Sequence, residues 1–249
     1  MRIGTWNVEY ARDADKNARR RAVLQLHDCD VWVLTETHDE LSPSADHEPV
    51  HSAQRPTGRL GGRWASIWTR YHVMQRLEVV DPRRTVAAIV EAPTGPLIVF
   101  GTVMPWASDR GDADPGTPVR GWSELHRVVL QQGREWAALQ QRYPAADLCV
   151  AGDLNMNLGG KHYYGTAQSR RLLREAMAAC GLFCATETER MPAGRLAHPP
   201  IDHVLLPMVW EPRAEVVAAW EGKTGPDPRL SDHSGLAVEV DLTAAPSPS

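Results

Sequence analysis

The chain has 249 residues, 43% of them hydrophobic and 23% charged, with a formal net charge of −4. That length suits one large α/β domain or two small ones, and the hydrophobic share supports a sizeable core. The mild acidity argues against a broad electrostatic grip on nucleic acid and leaves only local basic patches for such contacts.

The chain alternates short apolar runs with amphipathic stretches. Arg2 to Val8 reads as a strand. Asp15 to His27 reads as a helix, with Asp15 as its cap and Ala18, Ala22, Val23 and Leu26 on one face. Asp30 to Leu34 is a dense apolar run, as expected of a strand covered on both faces. Ala65 to Trp68, Val86 to Val90 and Leu97 to Thr102 are further strands, and Pro93-Thr94-Gly95-Pro96 makes the last two a hairpin. Trp122, Leu125, Val129, Trp136, Leu139 and Tyr143 keep helical spacing, and Tyr143-Pro144 ends that helix. Leu148 to Ala151 is another buried strand. Thr166 to Ala179 is a helix stopped by Gly181. Ile201 to Leu206, Ala214 to Trp220 and Gly235 to Val240 complete the strands. About nine strands and three helices imply a layered α/β architecture, with mixed sheets because the strands cluster in adjacent pairs.

No run reaches the roughly 18 apolar residues of a membrane span. No basic leader precedes an apolar run, so the expectation is a cytoplasmic protein without membrane contact. Of the cysteines, Cys29, Cys149, Cys180 and Cys184, three lie beside or within apolar runs, which suits packed thiols. Cys180 and Cys184 are four apart, but no second Cys/His pair completes a zinc set. Thr243 to Ser249 is rich in Ala, Pro and Ser and reads as a frayed tail.

Polar residues interrupt the apolar runs at five places. They are Asn7 in Thr5-Trp6-Asn7-Val8-Glu9, Glu36 in Leu34-Thr35-Glu36-Thr37, Asp153 and Asn155 in Ala151-Gly152-Asp153-Leu154-Asn155, Asp202 in Ile201-Asp202-His203, and Asp232-His233 before the last strand. Strand ends present reactive groups rigidly. Three ends and two starts converge at one edge if the strands after Asp202 and His233 run antiparallel to the others. Singly, each such residue is more often a turn or cap; the argument rests on five occurring together.

This ordered set resembles the endonuclease/exonuclease/phosphatase superfamily, which includes DNase-I-like nucleases, abasic-site endonucleases, neutral sphingomyelinases and inositol-polyphosphate phosphatases. The resemblance runs from Met1 to about Asp241. It implies a four-layer α/β sandwich, with two mixed β-sheets packed face to face and helices outside, as a catalytic domain over residues 1–241; composition sets the disordered tail at 242–249 apart from it. It implies Glu36 as the main ligand of Mg²⁺, with Mn²⁺ fitting the same oxygen set. Asn7 and Asp232 assist, and Glu9 lies near a second metal position. Asp153 orients or deprotonates the attacking water, Asn155 holds that water or a phosphate oxygen, and His233 contacts the phosphate with its ring fixed by Asp202. Strand alternation turns His203 away from the site if Asp202 faces it.

The family usually has His or Tyr at the end of the central strand, where this chain has Val103. Thr102 and Trp106 are the neighbours that could compensate. The expected substrate is a phosphate ester, with nucleic acid among the candidates, bordered by Trp106, Lys161, His162 and Tyr164. The reading is a metal-dependent phosphodiesterase or nuclease. The alternatives are a phosphomonoesterase on a small organophosphate and a non-catalytic phosphate- or nucleic-acid-binding descendant. The oligomeric state is not legible.

Overall fold

The computed structural model describes residues 1–55, 60–114, 116, 118–192, 194–223 and 229–242; the expected tail lies outside them except for Leu242. The strands are β1 (Arg2–Asn7), β2 (Val31–His38), β3 (Glu48–His51), β4 (Gly62–Thr69), β5 (Val73–Leu77), β6 (Thr85–Ala92), β7 (Gly95–Val103), β8 (Asp147–Asp153), β9 (Leu182–Cys184), β10 (Asp202–Pro207), β11 (Ala214–Trp220) and β12 (Gly235–Val240). The helices are α1 (Ala14–His27), α2 (Ser123–Arg142) and α3 (Ala167–Ala179).

The strands form two six-stranded sheets, in the orders β11-β12-β1-β2-β4-β3 and β5-β6-β7-β8-β10-β9. Each is mixed and holds one parallel pair at its middle, β1 with β2 and β7 with β8. The other pairings are antiparallel, including β1 with β12 and β8 with β10.

Alternation explains why the central strands are apolar on both faces. In β2, Val31 and Val33 join the core between the sheets, with Val99, Cys149, Ala151 and Val204 from the second sheet. The intervening Trp32 and Leu34 pack outward with Trp6, Leu24 of α1 and Trp68. On the far side, Phe100, Leu148 and Val150 meet Leu125, Val129 and Trp136 of α2 and Leu173 and Met177 of α3. The result is the expected α/β sandwich. All four cysteines are buried and free. Among the described residues, no helix is long and apolar enough to cross a membrane.

Two expectations for α1 are corrected. Its cap is Asp13, whose side chain accepts from Lys16 N at 2.9 Å, rather than Asp15. Its buried face is Asn17, Arg20 and Leu24, while Leu26 is exposed. The helix docks partly through polar groups: Asn17 Nδ2 donates to Ala11 O at 2.7 Å, and Arg20 Nε donates to Leu230 O at 2.9 Å. With its polar atoms satisfied inside, this face outcompetes the alanine face.

The strands not expected, β3, β5 and β9, are all sheet edges. β3 and β5 are short and bury at most one side chain each, and β9 is apolar and buried but only three residues long, whereas the remaining edge, β11, runs seven residues and was expected. The β6–β7 hairpin forms as expected, with Ala92 opposite Gly95.

Candidate active site

The two antiparallel pairings bring the starts of β10 and β12 to the edge where β1, β2 and β8 end. Within the first sheet Asn7 lies opposite Thr35, and within the second Asp202 lies opposite Asp153. The sheets are stitched together here by side chains. Asn7 Nδ2 donates to Glu36 Oε1 and, across the sheet boundary, to Asp153 Oδ2, both at 3.2 Å. His233 Nδ1 lies 2.6 Å from Asp202 Oδ2, also across the boundary. Ligand atoms of Asp153, Asp202 and His233 all fall within 4.8 Å of one another.

Local backbone conformation sets these side chains. Glu36 lies inside β2 rather than at its end, with φ 46°, and the β2–β4 ladder pairs Thr35 and Thr37 but not Glu36. A left-handed conformation at a non-glycine residue costs on the order of 1–3 kcal/mol and persists only where its surroundings over-determine it. Asn155 is also left-handed, at φ 51°. Its backbone N donates to Asp153 Oδ1 at 2.9 Å, and its Nδ2 donates to Met104 O at 2.7 Å and Asp153 Oδ2 at 3.1 Å. Before Asp153 comes Gly152, at φ 134°; a Cβ there would sit 2.1 Å from Thr102 O on β7. The lead-in to β12 is fastened by Ser231 Oγ donating to Asn7 O at 2.5 Å and accepting from His233 N at 3.0 Å. Trp6 Nε1 donates to His233 O at 3.1 Å.

The centre is strongly desolvated, with Asn7 at 0%, Asp202 at 1% and Asp153 at 2% exposure. Burial pushes the Asp153 carboxyl well above its ordinary range; Asp202 and Glu36 push it further, and His233 pulls it back. Burial alone would lower His233, but the charges of Asp202 and Asp153 outweigh it and hold the ring protonated. Burial also raises Glu36, opposed by hydrogen bonds from Asn7 and Tyr10 and by the Arg55 charge.

These residues fit a hard divalent cation. Glu36, Asp153 and Asp202 are inward-facing carboxylates, and the cations beside them are His233 and Arg55. Asp202 Oδ1 is buried without a hydrogen-bond partner. A water-poor centre holding more carboxylates than cations is short of positive charge. Glu36 supplies oxygen of the type such an ion takes, while the Asn7 amide turns its nitrogen to Glu36 and Asp153 and its oxygen to the Glu9 N–H.

Asp232 is exposed and adds to the field on His233. Glu9 donates its backbone N–H to Asn7 Oδ1 at 3.0 Å, while its carboxylate is ion-paired with Arg229. Trp106 donates Nε1 to Ser108 Oγ at 3.0 Å and lies 6.1 Å from the Trp64 ring. Tyr164 packs edge-on against Trp122 and is near enough to Asp153 for that charge to help raise its phenol, after burial. Lys161 and His162 are exposed, and His162 lines a surface hollow with Arg170, Arg171 and Arg174. His203 is fully buried and faces away, hydrogen-bonded to Thr186 Oγ1 at 3.1 Å and Met156 O at 3.0 Å.

Val103 lies opposite Asp153 in the β7–β8 ladder and is buried. Neither expected substitute is free to act: Thr102 Oγ1 accepts from Gln132 Nε2 at 2.9 Å beneath α2, and the Trp106 N–H is bonded to Ser108. Sequence reasoning missed a cluster beside Glu36, formed by Tyr10, Arg55, Trp64 and Arg84. The Arg55 guanidinium carbon lies 4.4 Å from the Tyr10 ring centre and 3.6 Å from that of Trp64. These residues sit on four separate stretches of chain, so no local pattern announces them.

With this geometry in view, the comparisons with known proteins give the class. The chain belongs to the Endonuclease/Exonuclease/phosphatase family, whose pattern matches residues 4–233. The members of that family are hydrolases acting on phosphate esters. Similar solved structures include a 3′ phosphatase, NExo, from Neisseria bound to product DNA hairpin, at 18% identity and TM-score 0.66, covering 97% of this chain and 100% of that one. An AP endonuclease from Archaeoglobus fulgidus is 16% identical, with TM-score 0.66 and the same coverage. The endonuclease domain of TRAS1, a telomere-specific non-LTR retrotransposon, is 13% identical, with TM-score 0.60, covering 98% of this chain and 99% of that one. At such identities these likenesses establish the fold, and the site must argue the chemistry. No curated protein matches the chain.

Proposed function

We propose that residues 1–241 form a divalent-metal-dependent phosphodiesterase that hydrolyses a nucleic-acid ester by an activated water. The observation that carries this reading is the convergence of Asn7, Glu36, Asp153, Asp202 and His233 across the sheet boundary, with direct contacts among them. The similarity to solved enzymes of DNA supports the substrate class.

Asp153 acts as the base. Its carboxylate is aimed by Asn7 and Asn155, and its raised affinity for a proton suits it to take one from water as the oxygen attacks phosphorus. The ester P–O bond breaks as the new one forms, and the leaving oxygen departs with the bonding pair and takes a proton from solvent. His233, bonded through Nδ1 to Asp202, keeps Nε2 for a phosphoryl oxygen and places positive charge where negative charge develops. Asn155 helps fix the water. Glu36 and Asn7, with Asp232 through water, would hold Mg²⁺ or Mn²⁺, which supplies charge neutralisation and polarises the phosphoryl group.

The test is cleavage of bis-p-nitrophenyl phosphate, p-nitrophenyl phosphate and single- and double-stranded oligonucleotides with Mg²⁺, Mn²⁺ or EDTA. Asp153→Asn and His233→Gln preserve shape, and each should lower diester cleavage by about 100-fold or more. Undiminished cleavage in both folded variants would sink the mechanism, and a preference for the monoester would replace the diesterase reading.

A further inference from the structure

A phosphate approaching this centre meets three carboxylates, so a cation must receive it. His233 offers one N–H, and the position opposite Asp153 in β7 holds Val103, which offers none. Arg84 is also close by, but Asp109 takes both its terminal nitrogens, at 2.5 and 3.1 Å.

Arg55 differs. Its side chain is only 11% exposed, its Nη1 lies 4.0 Å from Glu36 Oε2, and its guanidinium lies over the rings of both Tyr10 and Trp64, which are inclined to each other by 60°. Its backbone is anchored by Arg55 N donating to Gly62 O at 3.1 Å. A guanidinium desolvated against aromatic rings gains up to about 2 kcal/mol from each strong contact, and its orientation is fixed before any ligand arrives. The 4.0 Å separation from Glu36 exceeds a hydrogen bond, so the carboxylate attracts this group without chelating it. Arg55 covers a face of Trp64 at 3.6 Å, with Arg84 5.6 Å from the same ring centre, so the cluster holds cations and is not a bare platform for a base.

We propose that Arg55, held by Tyr10 and Trp64 beside Glu36, is a second phosphate-binding cation of this site, acting beside His233. The planar fork of arginine matches two phosphate oxygens at once, which an imidazole or phenol in β7 would not do. This inference rests on the phosphoesterase reading for its kinetics, but not for its binding.

The experiment compares the full chain with Arg55→Ala and Arg55→Lys. Three readings are taken: kcat/KM on bis-p-nitrophenyl phosphate, binding of inorganic phosphate by tryptophan fluorescence, and melting temperature. Arg55→Ala should lower kcat/KM by about 100-fold, as expected for losing one donor to a developing charge. It should weaken phosphate binding by about tenfold. Lysine should recover part of both, and millimolar guanidinium should rescue the alanine variant without speeding the parent. An alanine variant within about threefold of the parent in both readings overturns the proposal. So does a loss that neither lysine nor guanidinium recovers, whatever the melting temperature, because the arginine would then be a packing element. A parent that cleaves no ester but loses phosphate binding with Arg55 would refute the hydrolase reading and leave the Arg55 assignment standing.

Discussion

Gly152→Ala tests how tightly the fold holds the proposed base. Gly152 precedes Asp153 and faces Thr102 across the parallel β7–β8 pair. An added Cβ would lie 2.1 Å from Thr102 O, about 1 Å inside normal contact, against backbone that cannot rotate away. Its φ of 134° is also one that alanine adopts only with strain. The strain is worth about 1–3 kcal/mol and the overlap about 1–3 kcal/mol, so the variant should lose roughly 4 kcal/mol. Gly95→Ala separates the two contributions, because Gly95 has φ 108° and nothing within 4 Å of its added Cβ. It should lose only the strain share, about 1–3 kcal/mol. Urea unfolding followed by tryptophan fluorescence reads both values. The relief of the overlap must part β7 from β8 at Asp153, and a displacement near 1 Å should lower kcat by about 100-fold in Gly152→Ala but not in Gly95→Ala. Equal stability losses in the two variants, or a Gly152→Ala enzyme with the parent's kcat, would refute the reasoning.

Three further outcomes are expected. Asp202→Asn keeps the shape of the 2.6 Å contact but removes its charge, so kcat should fall by about 100-fold and the His233 ring, followed by proton NMR in EDTA, should lose its proton at lower pH than in the parent; an unchanged titration would exclude the ion pair. Adding Mg²⁺ at about 100 times its Kd should stabilise the protein by about 2.7 kcal/mol, measured by thermal unfolding, and Glu36→Gln should abolish the gain. In EDTA the same variant should be the more stable protein at neutral pH, since burial disfavours the ionised Glu36. His203 is buried with its pKa lowered to about 4, below an unfolded value near 6.5. Its neutral ring therefore supports the fold fully above pH 6.5, and roughly 3 kcal/mol is lost as pH falls towards 4; acid unfolding of His203→Gln should show a correspondingly smaller loss.

The central strands were legible because alternation between two apolar faces leaves a dense signature, as in Val31 to Leu34. β3 and β5 were not, since each buries at most one side chain, nor was β9, whose three apolar residues are too few to mark a strand. The five polar interruptions could be read because each breaks an apolar run, and the antiparallel courses of β10 and β12 bring them together. Arg55 gave no sign: an arginine in a loop reads as solvated until Tyr10, Trp64 and Glu36 are seen around it. The face of α1 was misread because Asn17 and Arg20 are polar, and only their distant carbonyl partners, Ala11 and Leu230, explain their burial.

The two sheets divide the chain unevenly. Strands β5 to β10 are one continuous stretch, whereas the first sheet joins β1 to β4 with β11 and β12 from the other end of the sequence. On the ribosome, the second sheet can therefore be complete while the first still lacks β12, the antiparallel partner of β1, and domains of this size emerge over about tens of seconds. His233, with Ser231 fastening it to Asn7, comes last. A nascent chain that already displays Glu36 and Asp153 still has no histidine for Asp202, so chemical competence comes only with the final strands.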